Sequence, residues 1–274
     1  MTHELGRATI ALVQMNCALE DKSANLKKVD DLLAGVNQTI DIACLPELFN
    51  TGYNLDALGD RIFELAEPVP EGETLHELSN IAKKHELAIV AGVIEQVPRL
   101  TGIIYDTAVL INRDGEFVGR YRKSHLYPAE HRFFKAGDHL PVFDLDGLRV
   151  GVAICFEAAF PPIFTTLALR GAQVVLNPSA VPVGYSYLQD LRTPARAQDN
   201  QYFVAATNHV GDEGDITYCG QSQVADPRGE IVSLASGDQE GALIAELNLE
   251  LIHNQRLQEP IYRGFKPELY QFTP

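Results

Sequence analysis

The chain has no tryptophan and only two methionines. Its four cysteines, Cys17, Cys44, Cys155 and Cys219, are scattered and form no CxxC pair. That spacing argues against a disulfide framework and for a reducing compartment, so a cytoplasmic protein is expected. No run approaches the ~20 apolar residues that a membrane-spanning helix needs. The N-terminal stretch MTHELGRATIALVQMNCALE lacks the basic start and the long apolar segment of a signal peptide. Basic residues are scarce as well: 22 Lys plus Arg stand against 37 Asp plus Glu, a net charge of −15. Nucleic acids and anionic membranes reward positive patches, so neither is an expected partner. The Gly-rich phosphate and dinucleotide loops, HExxH and GxSxG are all missing. Repeats, low-complexity tracts and linkers are absent too. Residues 1–274 therefore read as one domain, large enough to bury a core without a disulfide or metal staple.

What the chain does have is alternation of strand and helix signals. Buried strands are predicted at 8–15, 41–46, 87–95, 172–179, 201–208 and 241–249, where apolar runs are continuous. Helices are predicted at 21–36, 73–86, 161–171 and 188–200 from apolar spacing on a charged background. Asp-Gly turns mark hairpins within 103–123 and around Asp146-Gly147, and a third hairpin turns between Asp226 and Gly229. Strands this apolar need cover on both faces, so helices should flank the sheets. The segment NQRLQEPIYRGFKPELYQFTP is polar with scattered aromatics, poor core material, and reads as an arm packed on a partner or as a loose tail.

Three positions share a pattern. Glu47 follows DIACLP, Lys123 follows GEFVGRYR and Cys155 follows RVGVAI. Each places a charged or reactive group at the end of a strand-like run, where sheet-based enzymes gather their functional groups. If the three strands are neighbours and run the same way, the side chains converge. A thiol with an ordinary pKa of ~8.5 is mostly protonated at neutral pH and needs a base. A glutamate can take its proton, and a lysine can hold the oxyanion that forms when a thiolate attacks a carbonyl. On spacing alone Cys155 is either a core thiol or a nucleophile, and Glu47 and Lys123 are either solvated or catalytic. His125, His131 and His139 lie close in sequence, but their spacing matches no common metal site, and no metal or organic cofactor is expected.

The stretches LPELFNTGY (45–53), YRKSHLYPAEHRFFKAGD (121–138) and VGVAICFEAAFP (150–161) resemble the three signature blocks of the nitrilase superfamily, the carbon–nitrogen hydrolases, in the same order. LALRGAQVVLNPSA (167–180) and ARAQDNQYFVAATNHVG (195–211) extend the likeness over nearly the whole chain. The resemblance implies an α/β fold, a four-layer α-β-β-α sandwich. It also implies a homodimer or larger homo-oligomer, with residues 253–274 as a C-terminal arm packing on a partner. By position, Cys155 takes the nucleophile's role, Glu47 the base's and Lys123 the oxyanion stabiliser's. Glu130 matches a second family glutamate that orients the lysine or assists proton transfer, and the Phe156 N–H would be the second oxyanion donor. Tyr53, Tyr127, Phe160 and Asn177 flank the matched blocks and are expected to line the pocket.

The implied activity is hydrolysis of a non-peptide C–N bond in a small amide, whether aliphatic, an ω-amide or N-carbamoyl, to a carboxylate and ammonia through a thioester. Two departures from the family pattern, Glu157 two residues after the cysteine and Pro162 where many members carry glutamate, leave the substrate open. A nitrilase acting on C≡N and a catalytically silent scaffold protein are the alternatives.

Overall fold

The computed structural model describes residues 6–270. The first half of the chain forms β1 (Arg7–Gln14), α1 (Lys22–Ala34), β2 (Ile42–Cys44), α2 (Leu55–Leu58), α3 (Ile62–Leu65), β3 (Glu67–Pro68), α4 (Glu73–His85), β4 (Ala88–Gln96), β5 (Ile104–Ile111) and β6 (Phe117–Arg122). The second half forms β7 (Val142–Leu145), β8 (Leu148–Val152), α5 (Pro161–Leu169), β9 (Val174–Ser179), α6 (Ser186–Asn200), β10 (Phe203–Asn208), β11 (Val210–Glu213) and β12 (Ile216–Cys219). It closes with β13 (Gln223–Ala225), β14 (Ile231–Leu234), β15 (Gly241–Asn248) and α7 (Glu250–Gln258).

Two mixed sheets result. The first has the order β15-β1-β2-β4-β5-β6, with β3 paired to β4, and the second the order β14-β13-β10-β9-β8-β7. Each sheet has three parallel strands at its centre, β1, β2 and β4 in one and β10, β9 and β8 in the other, with antiparallel strands outside. A parallel bridge between Met15 and His209 joins the two sheets just past β1 and β10, so the parallel strands of both sheets run the same way.

Period-two alternation explains the layers. On β1, Ile10 and Leu12 face the second sheet, where Val150, Val152, Leu176 and Phe203 meet them. Ala11 and Val13 face the opposite way, against Leu26, Val29 and Leu33 of α1 and Leu75, Leu78 and Ile81 of α4. Val175 and Val204 of the second sheet turn outward onto Ile163, Phe164 and Leu167 of α5 and Ala197 of α6. Helices therefore cover the outer face of each sheet, which is the α-β-β-α sandwich expected. α1 begins where Asp21 caps it, its carboxylate accepting the Ala24 N–H at 2.9 Å.

The C-terminal segment starts in regular structure. Residues 250–258 are helical because Ile252 buries itself in the core between the sheets, and Gln201 and Tyr262 then tie residues up to 262 to the end of α6. Leu269 and Tyr270 are exposed. Residues 271–274 of the expected arm lie outside the described residues, as do residues 1–5.

Candidate active site

Glu47, Lys123 and Cys155 converge, but not as ends of neighbouring strands. β2 and β6 lie in one sheet with β4 and β5 between them, and β8 lies in the other. Since β2, β6 and β8 run the same way, the loops after them open at the same end of the sandwich and meet there.

Glu47 sits just past β2 on a crowded backbone. A Cβ at Gly92 of β4 would stand 2.8 Å from Glu47 Cα and from Leu48 N, so only glycine lets the chain pass. Leu48 turns through a positive φ of 46°, and His209 donates its Nε2–H to the Glu47 carbonyl at 2.5 Å. Burial pushes the His209 imidazole below its ordinary pKa, so it acts as a neutral donor. The Glu47 carboxylate is fully buried and accepts from Lys123 Nζ at 2.5 Å.

Lys123 is also fully buried. Its Nζ donates to Glu130 Oε1 at 2.6 Å as well, and Asp106 Oδ2 lies 3.4 Å away. Burial works against its charge, but Glu47, Glu130 and Asp106 outweigh that and hold its pKa well above the ordinary lysine value. Glu130 is set by a short 3-10 turn, Pro128–Arg132, in which its Oε2 accepts the Tyr127 N–H at 2.8 Å. The Tyr53 hydroxyl donates to its Oε1. Oxygens of Glu47, Asp106 and Glu130 lie within 4.8 Å of one another, a spacing that suits a metal ion, but the Lys123 ammonium already occupies their midst. His125, His131 and His139 do not gather: His125 stacks on Phe160, and the other two are exposed.

Cys155 opens a 3-10 turn, Cys155–Ala159, with a positive φ of 45°. A non-glycine residue held there is strained and projects its side chain out of the line of the strand, as nucleophiles on sharp turns do. Its thiol lines a cavity of about 380 Å³. Burial and the nearby Glu47 charge raise its pKa well above the ordinary thiol value, more than Lys123 lowers it. The resting group is therefore a thiol that needs a base.

Tyr53, Tyr127, Phe156 and Asn177 also line this cavity. Tyr127 meets the edge of the Phe156 ring, and Asn177 is fixed by donating to the Ala153 carbonyl at 2.5 Å. Phe160 does not reach the cavity. It packs between His125 and Phe156, propping the latter.

Glu157 and Pro162, the two departures from the family pattern, stand outside the cavity as well. Pro162 is exposed in the first turn of α5. Glu157 points into the scaffold, where Tyr121, Ser124 and the His125 and Ile154 amides all donate to it. Burial opposes its charge, but these donors outweigh burial and lower its pKa.

Other site residues carried weaker signals. Asp106 is an acid inside an otherwise apolar strand, IIYDTAVLI, and that contrast was readable. Glu213, on the β11–β12 hairpin, accepts the Tyr53 and Asn54 amides at 2.9 and 3.0 Å from far along the chain, which sequence proximity could not reveal. Arg192, Tyr185 and Tyr218 line the cavity.

Known proteins resemble this chain over nearly its whole length. The carbon–nitrogen hydrolase family model matches residues 9–257. A nitrilase of Pyrococcus abyssi is 36% identical over 265 residues, covering 95% of this chain and 98% of its own. The 2-oxoglutaramate amidase of Bacillus subtilis is 31% identical, with 96% and 99% covered. The crystal structure of Saccharomyces cerevisiae Nit3, a nitrilase-superfamily member, superposes with a TM-score of 0.87 at 29% identity, covering 95% of this chain and 97% of its own. No helix among the described residues is long and apolar enough to cross a membrane. The chain belongs to the carbon–nitrogen hydrolases of the nitrilase superfamily, and it is an amidohydrolase-class enzyme of C–N bonds rather than a peptidase.

Proposed function

We propose that the enzyme hydrolyses a small amide through a thioester on Cys155. One observation carries this reading: a lysine ammonium held between two buried carboxylates, Glu47 and Glu130, in the strand-end cluster that Cys155 joins. In this scheme Glu47 takes the thiol proton as Sγ attacks the amide carbonyl carbon. The Lys123 ammonium and the Phe156 N–H hold the resulting oxyanion. Glu47 returns the proton to the departing nitrogen, the C–N bond breaks, and ammonia leaves a thioester. Water then enters, gives a proton to Glu47 and attacks the thioester carbon. The carboxylic acid departs and loses its own proton to solvent, and the proton on Glu47 returns to the thiolate. Glu130 keeps Lys123 aimed and charged throughout.

Within the amides, an ω-amide with a free carboxylate at its other end is the best fit. Arg192 is the one basic side chain that lines the cavity, and it forms no ion pair among the described residues. A guanidinium so placed suits a carboxylate. One turn along α6, ~5.4 Å away, Arg196 donates to the Ala158 carbonyl at 3.1 Å, so this stretch of helix lies against the turn that begins at Cys155. The charged Asp56 at the mouth is almost fully exposed, and Arg132 lies nearby.

The test is ammonia release from a panel of plain aliphatic amides, monoamides of dicarboxylic acids, N-carbamoyl compounds and nitriles. Monoamides should lead in kcat/KM, and intact-protein mass should show an acyl adduct on Cys155. Turnover of nitriles alone would overturn the amidase reading, and no turnover with an unreactive Cys155 would favour a silent scaffold.

The proposed assembly is a homodimer or larger homo-oligomer. Tyr187 and Leu191 on α6 are 61% and 65% exposed, an apolar surface that a second copy could cover, and light scattering would give the subunit number. Four free cysteines and a thiol mechanism favour a reducing, cytoplasmic setting.

A further inference from the structure

Asp106 carries no role in the scheme above, yet it is fully buried beside Lys123. Its backbone is committed: the Asp106 carbonyl accepts the Lys123 N–H at 2.9 Å, which fixes the lysine to the end of β5. Its side chain is less well served. Among the described residues, neither Asp106 carboxyl oxygen has a hydrogen-bond partner, and neither has Glu47 Oε2. All three are acceptors if both groups are ionised, and an oxygen of Asp106 lies within 4.8 Å of an oxygen of Glu47 in this buried cluster.

Charge sharpens the conflict. Three ionised carboxyls around one ammonium leave two uncompensated negative charges, a state that burial strongly disfavours. A resident proton removes one of them. The carboxyl groups compete for it unequally. Glu130 already receives donors from Lys123, Tyr53 and the Tyr127 amide. Glu47 receives Lys123 at 2.5 Å on Oε1. Asp106 has only the longer 3.4 Å approach of the lysine.

We propose that Asp106 is a neutral carboxylic acid whose O–H donates to Glu47 Oε2, making it a positioning residue for the catalytic base. This proposal rests on Glu47 being that base. One added proton gives the otherwise unpaired Glu47 Oε2 a donor, and a carboxylate oxygen keeps a second lone pair free for the thiol proton. Burial and the charges of Glu47 and Glu130 raise the Asp106 pKa well above the ordinary aspartate value, more than Lys123 lowers it. The charged groups facing Asp106 are Glu47 after β2, Lys123 after β6 and Glu130 on its 3-10 turn, with Cys155 on the other sheet's side. Other enzymes use the same device, a carboxyl kept neutral so that it can donate.

The test pairs two variants with a spectroscopic measurement. Asparagine has an N–H donor of nearly the same shape, and alanine has none. Asp106→Ala should lower kcat by ~10- to 100-fold with KM little changed, because Asp106 does not touch substrate. Asp106→Asn should recover most of that loss. The infrared difference spectrum between wild type and Asp106→Asn at neutral pH should contain the carbonyl stretch of one protonated carboxyl. Equal impairment of the two variants would mean that an ionised Asp106 is needed and would overturn the proposal. So would full activity in Asp106→Ala, or the absence of a protonated-carboxyl band from the difference spectrum. The infrared measurement reads the resting enzyme. It therefore keeps failure of this proposal distinct from failure of the amide panel.

Discussion

Ser124 and Glu157 are joined twice: the Ser124 amide at 2.8 Å and its hydroxyl at 2.6 Å both donate to Glu157 Oε1. The other oxygen of the same carboxylate accepts the Ile154 N–H at 2.7 Å. One buried side chain thus ties the residue after Lys123 to the residue before Cys155. Replacing Glu157 with alanine strands several buried donors, so a loss of ~3–5 kcal/mol in stability is expected, with kcat falling as the lysine and thiol lose their mutual register. Denaturant unfolding and steady-state kinetics on the same preparation check both.

The Glu157 pKa is lowered by folding, which fixes the sign of a pH effect. Its contribution is complete above the unfolded glutamate value of ~4.3 and is lost as pH falls through the lower folded value. The wild-type denaturation midpoint should therefore drop between pH 5 and more acid conditions. The Glu157→Gln variant should show a flatter profile. An unchanged slope in the variant would place the acid-labile group elsewhere.

Alkylation should distinguish the cysteines. Burial pushes the Cys44 thiol up to about 12 and Cys219 to about 11, and raises Cys17 well above the ordinary thiol value; all three are buried. Cys155 also has a raised pKa but faces the cavity. Native enzyme should take up one iodoacetamide, at Cys155, with a rate that climbs as pH rises above neutrality. Peptide mapping identifies the site, and uptake at another cysteine would contradict the placement. Cys155→Ala should remove both labelling and turnover while leaving the far-UV circular dichroism unchanged.

Gly92→Ala tests the base from behind. The new methyl would meet backbone atoms of Pro46, Glu47 and Leu48 at 2.8–2.9 Å, and none of these can rotate away. Overpacking of this kind costs ~1–3 kcal/mol. The expected outcome is a fold that persists with a lower melting temperature and a kcat reduced at least ~10-fold, measured against Gly184→Ala, where the added Cβ meets nothing within 4 Å.

Arg192→Gln should separate substrates by charge. KM for monoamides of dicarboxylic acids should rise ~10-fold or more, while plain amides of the same length should change little. Equal effects on both would assign Arg192 a structural role.

The strands were legible because both faces of each central strand are buried, so β1, β4, β9 and β10 read as unbroken apolar runs. Glu47 and Cys155 were legible for the same reason, since each follows such a run, whereas Lys123 follows the more exposed edge strand β6. Adjacency misled where a 3-10 turn intervened. Glu157 and Phe160 follow Cys155 closely, but a tight turn sends their side chains into the scaffold instead of the cavity. The β11–β12 hairpin went unread because its polar strand GDE lacks an apolar pattern, and its partner is the distant Tyr53 loop. The helical start of the C-terminal segment was hidden because Ile252 is the one residue of that helix that is buried.

The base and the nucleophile issue from different sheets, and the packed layer between those sheets is what separates them. Leu12, Val90, Val152 and Leu176 thus act as a gauge block that sets the working distance of the chemistry, although none of them touches it. Close-packed interiors transmit changes of a single methylene. A core substitution too mild to unfold the protein should therefore register first as lost turnover, making activity a finer ruler of intersheet spacing than any melting curve.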